Sequence, residues 1–325
     1  MKIHFTKMHG CGNDYVYING ATDIIPQEKK PEAVRFLSDR HFGIGGDGVI
    51  FINPSDAADF EMEMYNADGS RGEMCGNGIR CVAKFVYDNG LTKALPDPKN
   101  ISVISAGSVK YLQLTVDDND KVSTVRVDMG EPILEPAKVP VAFPENDTET
   151  ASAADAINTT ADAPTAPAAT DAPTTPAAAQ ADPIIAHPLP VNGKEYSVTC
   201  VSMGNPHCVL YVEDTASLDL PKIGPDFEHH AYFPNRINTE FVQIIDREHI
   251  RMRVWERGSG ETLACGTGCC ACVVAGVLNG VNDRTTEVEV LGGRLLIEWN
   301  EQDNHVYMTG PATTVFTGEV EIAVR

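Results

Sequence analysis

The chain has 325 residues, 42% of them hydrophobic, and a formal charge of −21. That is room for two ordinary domains with cores of their own, and the acidic excess argues against nucleic acid and anionic membranes as partners. Nine cysteines without regular pairing suit reduced intracellular thiols, and neither the opening Met1-Lys-Ile-His-Phe-Thr-Lys7 nor any later run has the apolar character of a signal or membrane span, so a cytoplasmic protein is expected.

Strand patterns at 3–7 and 15–19 flank the glycine-rich turn Met8-His-Gly-Cys-Gly-Asn13-Asp14. The turn suits a tight hairpin, and equally a loop that lowers backbone amides and the Asn13 side chain into a cleft. Residues 31–41 predict a helix with Val34, Phe36 and Leu37 inward. Gly43-Ile-Gly-Gly-Asp-Gly48 breaks it and leads into a strand at 49–52. That loop lacks Gly-x-Gly-x-x-Gly and precedes a strand instead of opening a helix, which rules against a dinucleotide cradle. Phe60-Glu-Met-Glu-Met-Tyr65 alternates, with Phe60, Met62 and Met64 on one face.

Asn66-Ala-Asp-Gly then leads to Met74-Cys75-Gly-Asn-Gly and a run in which Ile79, Val82, Ala83 and Val86 share a helical face. A second copy stands 190 positions later: Glu256-Arg257-Gly-Ser-Gly-Glu-Thr262 leads to Ala264-Cys265-Gly-Thr-Gly and a run apolar almost all round, as in a buried helix. Both runs stop at Asn-Gly, at 89–90 and 279–280, where a left-handed C-terminal cap is expected. Each cysteine is thus placed ahead of a helix, whose unpaired N–H groups and dipole favour a thiolate. The backbone amides of Gly76, Asn77 and Gly78, and of Gly266, Thr267 and Gly268, are placed to close around a carboxylate.

The correspondence extends upstream and downstream. Gly12-Asn13 lies 63 residues before Cys75 and Gly204-Asn205 lies 61 before Cys265, while Asn66 and Glu256 each stand nine residues ahead of their cysteine. Hairpin patterns follow both helices: 101–105 with 109–116 over Ala106-Gly107, then 122–129; and 287–291 with 294–299 over Gly292-Gly293, then 305–309. The shared order indicates two copies of one fold facing each other across a cleft. Between them, residues 145–183 are Ala, Thr, Pro and Asp without aromatics, Lys or Arg, and hold seven acidic side chains. Such a segment cannot bury enough apolar surface to offset its ordering entropy, so a disordered insertion without catalytic role is expected. Without it the charge is about −14.

Met203-Gly-Asn205-Pro-His207 opens a strand at a polar corner, where His207 could tune a thiol or serve as a structural hydrogen bonder. Glu256-Arg257 offers a carboxylate and a guanidinium at a loop entry, either for a ligand or as a surface ion pair. Asn238 carries no signal of its own. Cys269-Cys-Ala-Cys272 is formally Cys-x-x-Cys, but its apolar setting and the lack of a second pair read as core instead of a metal site.

On Met8-His-Gly-Cys-Gly-Asn-Asp, Asn66-Ala-Asp-Gly with Met74-Cys-Gly-Asn-Gly, Ser202-Met-Gly-Asn-Pro-His, Asn238, and Glu256-Arg-Gly-x-Gly-Glu-Thr with Ala264-Cys-Gly-Thr-Gly, the chain resembles diaminopimelate epimerase over all but the 145–183 insertion. The resemblance implies an α/β fold of the α+β type: two pseudo-symmetric domains, each a mainly antiparallel sheet rolled around a central helix. One domain would span 1–127 and 311–325, with a final strand at about 313–324 returning to it, and the other 128–310. The implied activity is cofactor-independent epimerisation of LL-2,6-diaminopimelate to the meso form, for lysine and peptidoglycan precursors, with neither pyridoxal phosphate nor metal. Cys75 and Cys265 would alternate as thiolate and thiol, with His207 and Glu256 tuning them. Asn13, Asn66, Asn205, Asn238, Glu256 and Arg257 would hold the substrate, Arg257 on its distal carboxylate, together with Gly76, Asn77, Gly266 and Thr267. Some family members carry Gln where Gly48 stands here. A homodimer is also implied. Proline racemase and hydroxyproline epimerase resemble the two-cysteine arrangement, and a non-catalytic thiol or metal-binding protein is the alternative of another class; Met-Cys-Gly-Asn-Gly and the early Gly-Asn-Asp favour diaminopimelate.

Overall fold

The computed structural model describes residues 1–72, 74–143 and 182–322, so the expected disorder of 145–183 lies almost wholly outside the described residues. Strands β1 (Lys2–Gly10) and β2 (Asn13–Asn19) form a hairpin. Gly10 pairs with Asn13, so the broad turn read from the sequence shrinks to Cys11-Gly12, both at positive φ. Helix α1 (Lys30–Ser38) crosses to β3 (Gly48–Asn53), which lies parallel to β2, and β4 (Phe60–Asn66) returns antiparallel. Helix α2 (Gly76–Asp88) follows, then β5 (Asn100–Ser105), parallel to β4, and the antiparallel β6 (Ser108–Val116) and β7 (Val122–Gly130).

The second half opens with β8 (His187–Val191), β9 (Lys194–Ser202) and β10 (Pro206–Tyr211). Helix α3 (Leu220–Glu228) crosses to β11 (Asn238–Ile244), parallel to β10, and β12 (His249–Glu256) returns with the short β13 (Gly260–Thr262). Helix α4 (Gly266–Leu278) leads to β14 (Thr285–Val290), parallel to β12, then β15 (Gly293–Trp299), β16 (Val306–Pro311) and β17 (Thr313–Glu321). Strands β9 to β12 and β14 to β16 therefore repeat β1 to β7, with parallel pairings at the same two steps. An antiparallel ladder between β7 and β16 joins the halves into one ribbon, and β17 closes onto β1.

Both central helices are buried all round, from Gly76 to Val86 and from Gly266 to Gly276. For α4 this follows from its composition. Helix α2, whose apolar residues share one face, is buried because it also takes Arg80 and Lys84 inside, the latter tied to the Val122 carbonyl and to Asp88. The Asn-Gly stops behave as read: Asn89 and Asn279 cap the helices, and Gly90 and Gly280 follow at φ of 73° and 70°.

Two expectations are corrected. Phe36 is exposed on α1, because the inward stripe runs through Ala33, Val34 and Leu37. Phe60, Met62 and Met64 do share one face of β4, packed into the core around α2; the other face is buried as well, and Lys30 of α1 pairs there with Glu63 at 2.5 Å. The β14–β15 hairpin turns at Leu291-Gly292, since Gly293 already pairs with Val290. Gly292 is held to glycine there, because a β-carbon would meet the Cys11 carbonyl oxygen at 1.8 Å.

Candidate active site

Cys75 and Cys265 are the N-cap residues of α2 and α4, with φ/ψ of −116°/112° and −116°/109°. Two loops 190 residues apart thus adopt one backbone conformation. Their helix heads touch: the Asn77 amide donates to the Ala264 carbonyl at 3.1 Å, and a β-carbon on Gly266 would come within 3.7 Å of the Gly76 α-carbon. Both cysteines line a single cleft of about 1530 Å³.

The cleft is lined by Asn13, Asn66, Gly76, Asn77, Asn205, Glu256, Gly266 and Thr267, as the sequence suggested, and also by Arg40, Asp47, Arg71 and Glu261. The hairpin turn serves both readings made of it, being tight and delivering Asn13 to the site. Cys75 Sγ donates to Asn13 Oδ1 at 3.2 Å and accepts from the Gly78 amide at 3.3 Å. Asn13 is held in turn by Asp47, which together with Asp14 binds Arg40. The glycine loop before β3, which carries Asp47, thereby supports this corner.

Three expected site residues do not line the cleft. His207 is fully buried, with Nδ1 2.7 Å from Glu240 Oε1 and Nε2 3.1 Å from Asn205 Oδ1. Asn238 is buried too: it donates to the Pro206 carbonyl and accepts from the Arg257 amide at 2.8 Å, fixing the loop after β12. The Arg257 guanidinium lies on the Asn235 carbonyl at 3.1 Å. The loop itself reaches the cleft through Glu256, Gly258 and Ser259.

The expected ease of thiol ionisation is reversed. Burial pushes the Cys75 thiol above its ordinary range, and the Gly78 and Asn77 amides oppose this without prevailing. Burial pushes Cys265 up much further, aided by the Glu256 and Glu240 carboxylates, against the Thr267 hydroxyl and the Gly268 amide. Helix-end N–H groups act in the direction read from the sequence, but desolvation outweighs them. Burial also raises Glu256, against the Thr262 hydroxyl that donates to it and against His207.

Two residues at the site gave no usable signal in the sequence. Glu240 is an acidic side chain inside a buried strand, recognisable only once β11 is placed beside β10. Arg80, fully buried behind the helix heads, donates to the Gly76 carbonyl, Asn77 Oδ1 and the Pro311 carbonyl at 3.0, 3.0 and 3.2 Å. It stands two residues after Cys75-Gly-Asn-Gly78.

A sequence profile described as diaminopimelate epimerase matches residues 5–135 and 199–315, which takes in both cysteine loops. The chain is 50% identical over 321 residues to a diaminopimelate epimerase of Acetivibrio thermocellus, covering 98% of this chain and 99% of that one. It is 48% identical over 318 residues to one of Methanococcus maripaludis, with the same coverage. Among solved structures, a PhzF-family phenazine biosynthesis protein of Bacillus anthracis superposes with a TM-score of 0.61 at 13% identity, covering 99% of this chain and 100% of that one. A hydroxyproline epimerase of Agrobacterium vitis gives 0.58 at 10% identity, covering 98% and 91%; likenesses this remote speak for the fold alone. With identity near one half along almost the whole chain, and the paired cysteine loops inside the matched regions, the protein belongs to the diaminopimelate epimerase family.

Proposed function

We propose that the protein interconverts LL- and meso-2,6-diaminopimelate by moving one proton on and off the α-carbon between Cys75 and Cys265. The observation that carries this reading is the meeting of two identically built cysteine caps in one cleft, in a chain of this family. An amino acid α-proton is very weakly acidic, so inversion needs a base on one face, an acid on the other and stabilisation of charge entering the carboxylate. A Cys75 thiolate takes the proton while the Cys265 thiol supplies one to the opposite face; the reverse reaction exchanges the roles. Helix-end amides from Gly76 to Gly78 and from Gly266 to Gly268 receive the carboxylate. The raised thiols are strong bases once ionised, which suits a proton so hard to remove.

In the same reading Asn13, Asn66, Asn205 and Glu256 bind the substrate from the cleft wall. Asn238 acts by holding the Arg257 loop, and Arg257 reaches a distal carboxylate only by leaving the Asn235 carbonyl. We also propose two domains, 1–127 with 311–325 and 128–310, and a homodimer. The β1–β17 pairing supports the former, and the latter is supported by edge strand β17, which presents Val315 and Phe316 at 54% and 46% exposure. Nine free cysteines fit a reducing cytoplasm, and no helix among the described residues is long and apolar enough to cross a membrane.

The test is turnover of LL-diaminopimelate in deuterated water by the wild-type chain, Cys75→Ala and Cys265→Ala. The wild type incorporates deuterium at the α-carbon and each variant loses epimerisation. Full turnover by either variant defeats the two-thiol scheme.

A further inference from the structure

Behind Cys265 the fold gathers three chemically different donors. One ligand atom each from Cys265, His207 and Glu240 lie within 4.8 Å of one another, and all three side chains are buried. They are carried by separate elements: the head of α4 and the paired strands β10 and β11. Glu240 Oε1 already meets His207 Nδ1, whereas Glu240 Oε2 is fully buried and has no hydrogen-bond partner. A buried carboxylate oxygen left unpaired is costly, and a cation is one way to satisfy it. The Glu256 carboxylate beside Cys265 adds negative charge to the same corner.

Thiolate, neutral imidazole and carboxylate are the donor types of a three-ligand zinc site, which leaves a fourth position for water. Of the three, Cys265 is the one that lines the cleft. Drawing the three atoms onto one ion requires shifts of roughly 1 Å and the release of one His207 ring nitrogen, with loss of its proton to solvent, from its present partner, Glu240 Oε1 or Asn205 Oδ1. We propose that this cluster binds a single Zn²⁺ and that its occupation arrests the enzyme. The zinc–sulfur bond forms as the Cys265 S–H bond breaks, the proton leaves to solvent, and no electron is transferred. A sulfur held in that bond neither accepts nor donates a proton at a substrate carbon. The arrest rests on the function proposed above; the binding does not.

The experiment uses the full chain, stripped with a chelator and titrated with Zn²⁺ and, as a coloured stand-in, with Co²⁺. One equivalent binds per chain, and cobalt gives a thiolate-to-metal charge-transfer band that persists in Cys75→Ala and disappears in Cys265→Ala. Glu240→Gln weakens zinc binding by more than about tenfold and serves where Cys265→Ala fails to fold. Zinc suppresses epimerisation in proportion to occupancy, and chelator restores it. A band that survives in Cys265→Ala, a band lost in Cys75→Ala, zinc affinity unchanged in Glu240→Gln, or full turnover at full occupancy overturns the proposal. Absence of turnover in the metal-free chain would instead defeat the proposed reaction and leave the binding result standing.

Discussion

Gly76 and Gly266, the first residues of the two central helices, are packed against the same side chain: β-carbons there would lie 2.8 Å from Met308 Cε and 3.0 Å from Met308 Sδ. Met308, fully buried on β16, therefore props both helix heads and sets how far apart the cysteine caps stand.

Gly266→Ala should push this contact apart. The backbone is not in the left-handed region and Met308 is flexible, so the stability cost is limited to about 1–3 kcal/mol. Misplacement of a reacting group by a fraction of an ångström costs far more in rate, and kcat/KM is expected to fall about a hundredfold. Adding Met308→Val, which removes the crowding atoms, recovers part of the rate. Urea melts and the epimerase assay check both; a Gly266→Ala enzyme with wild-type kcat/KM would show that the helix heads tolerate displacement.

The pH profile follows from the direction of the thiol shifts. In the proposed reaction the active form holds one thiolate and one thiol, and burial keeps both sulfurs protonated beyond the ordinary thiol range. Raising the pH from neutral creates the first thiolate, which is Cys75 because Cys265 is pushed further. Accordingly kcat/KM keeps rising with pH beyond the ordinary thiol range and falls only where the second thiol ionises. A rate that declines steadily above about pH 7 contradicts this assignment.

Arg80 lies behind the Cys75 loop and pulls that thiol downward against its burial. Arg80→Met removes this charge and leaves the Gly76, Asn77 and Pro311 acceptors without their donor, at a cost of about 2–4 kcal/mol. The expected signature is a displacement of the alkaline rise in kcat/KM to higher pH, in addition to lost stability. Lower stability with an unmoved profile would reduce Arg80 to a purely packing role.

The flanks of the Ala/Pro/Thr insertion are anchored to one another. Val141, Phe143, Ile184 and Leu189 share one buried cluster, and the Phe143 ring lies 4.5 Å from that of His187. Loop closure depends weakly on length. Deleting residues 147–178 is therefore expected to change kcat less than about twofold and the melting midpoint little. A large loss of either would give the insertion a structural or catalytic part.

The sequence revealed what is local and periodic. The cysteine caps, the Asn-Gly helix stops, the strands of the first half and those that follow α4 were readable because each depends on a few neighbouring residues. Long-range packing was not readable. Nothing in Asn238-Thr-Glu240-Phe tells that Glu240 lies under Cys265, and the sign of the thiol shifts depends on how much protein closes over each sulfur. Helix α3 escaped notice because Gly224 and Pro225 weaken its pattern; Gly224 is required instead by Trp255, whose ring would lie 2.3 Å from a β-carbon there. Arg257 was placed on the substrate by resemblance, yet its side chain turns to Asn235.

Strands β7 and β16 hold the same place in their respective halves and pair antiparallel with one another. Such a self-complementary edge is what a twofold axis demands. A half-length ancestor joined to its own copy along this edge would already hold two equivalent sulfurs over one carbon. In the single polypeptide the two sides differ, Cys75 having an asparagine carboxamide as its companion and Cys265 a buried histidine and carboxylate.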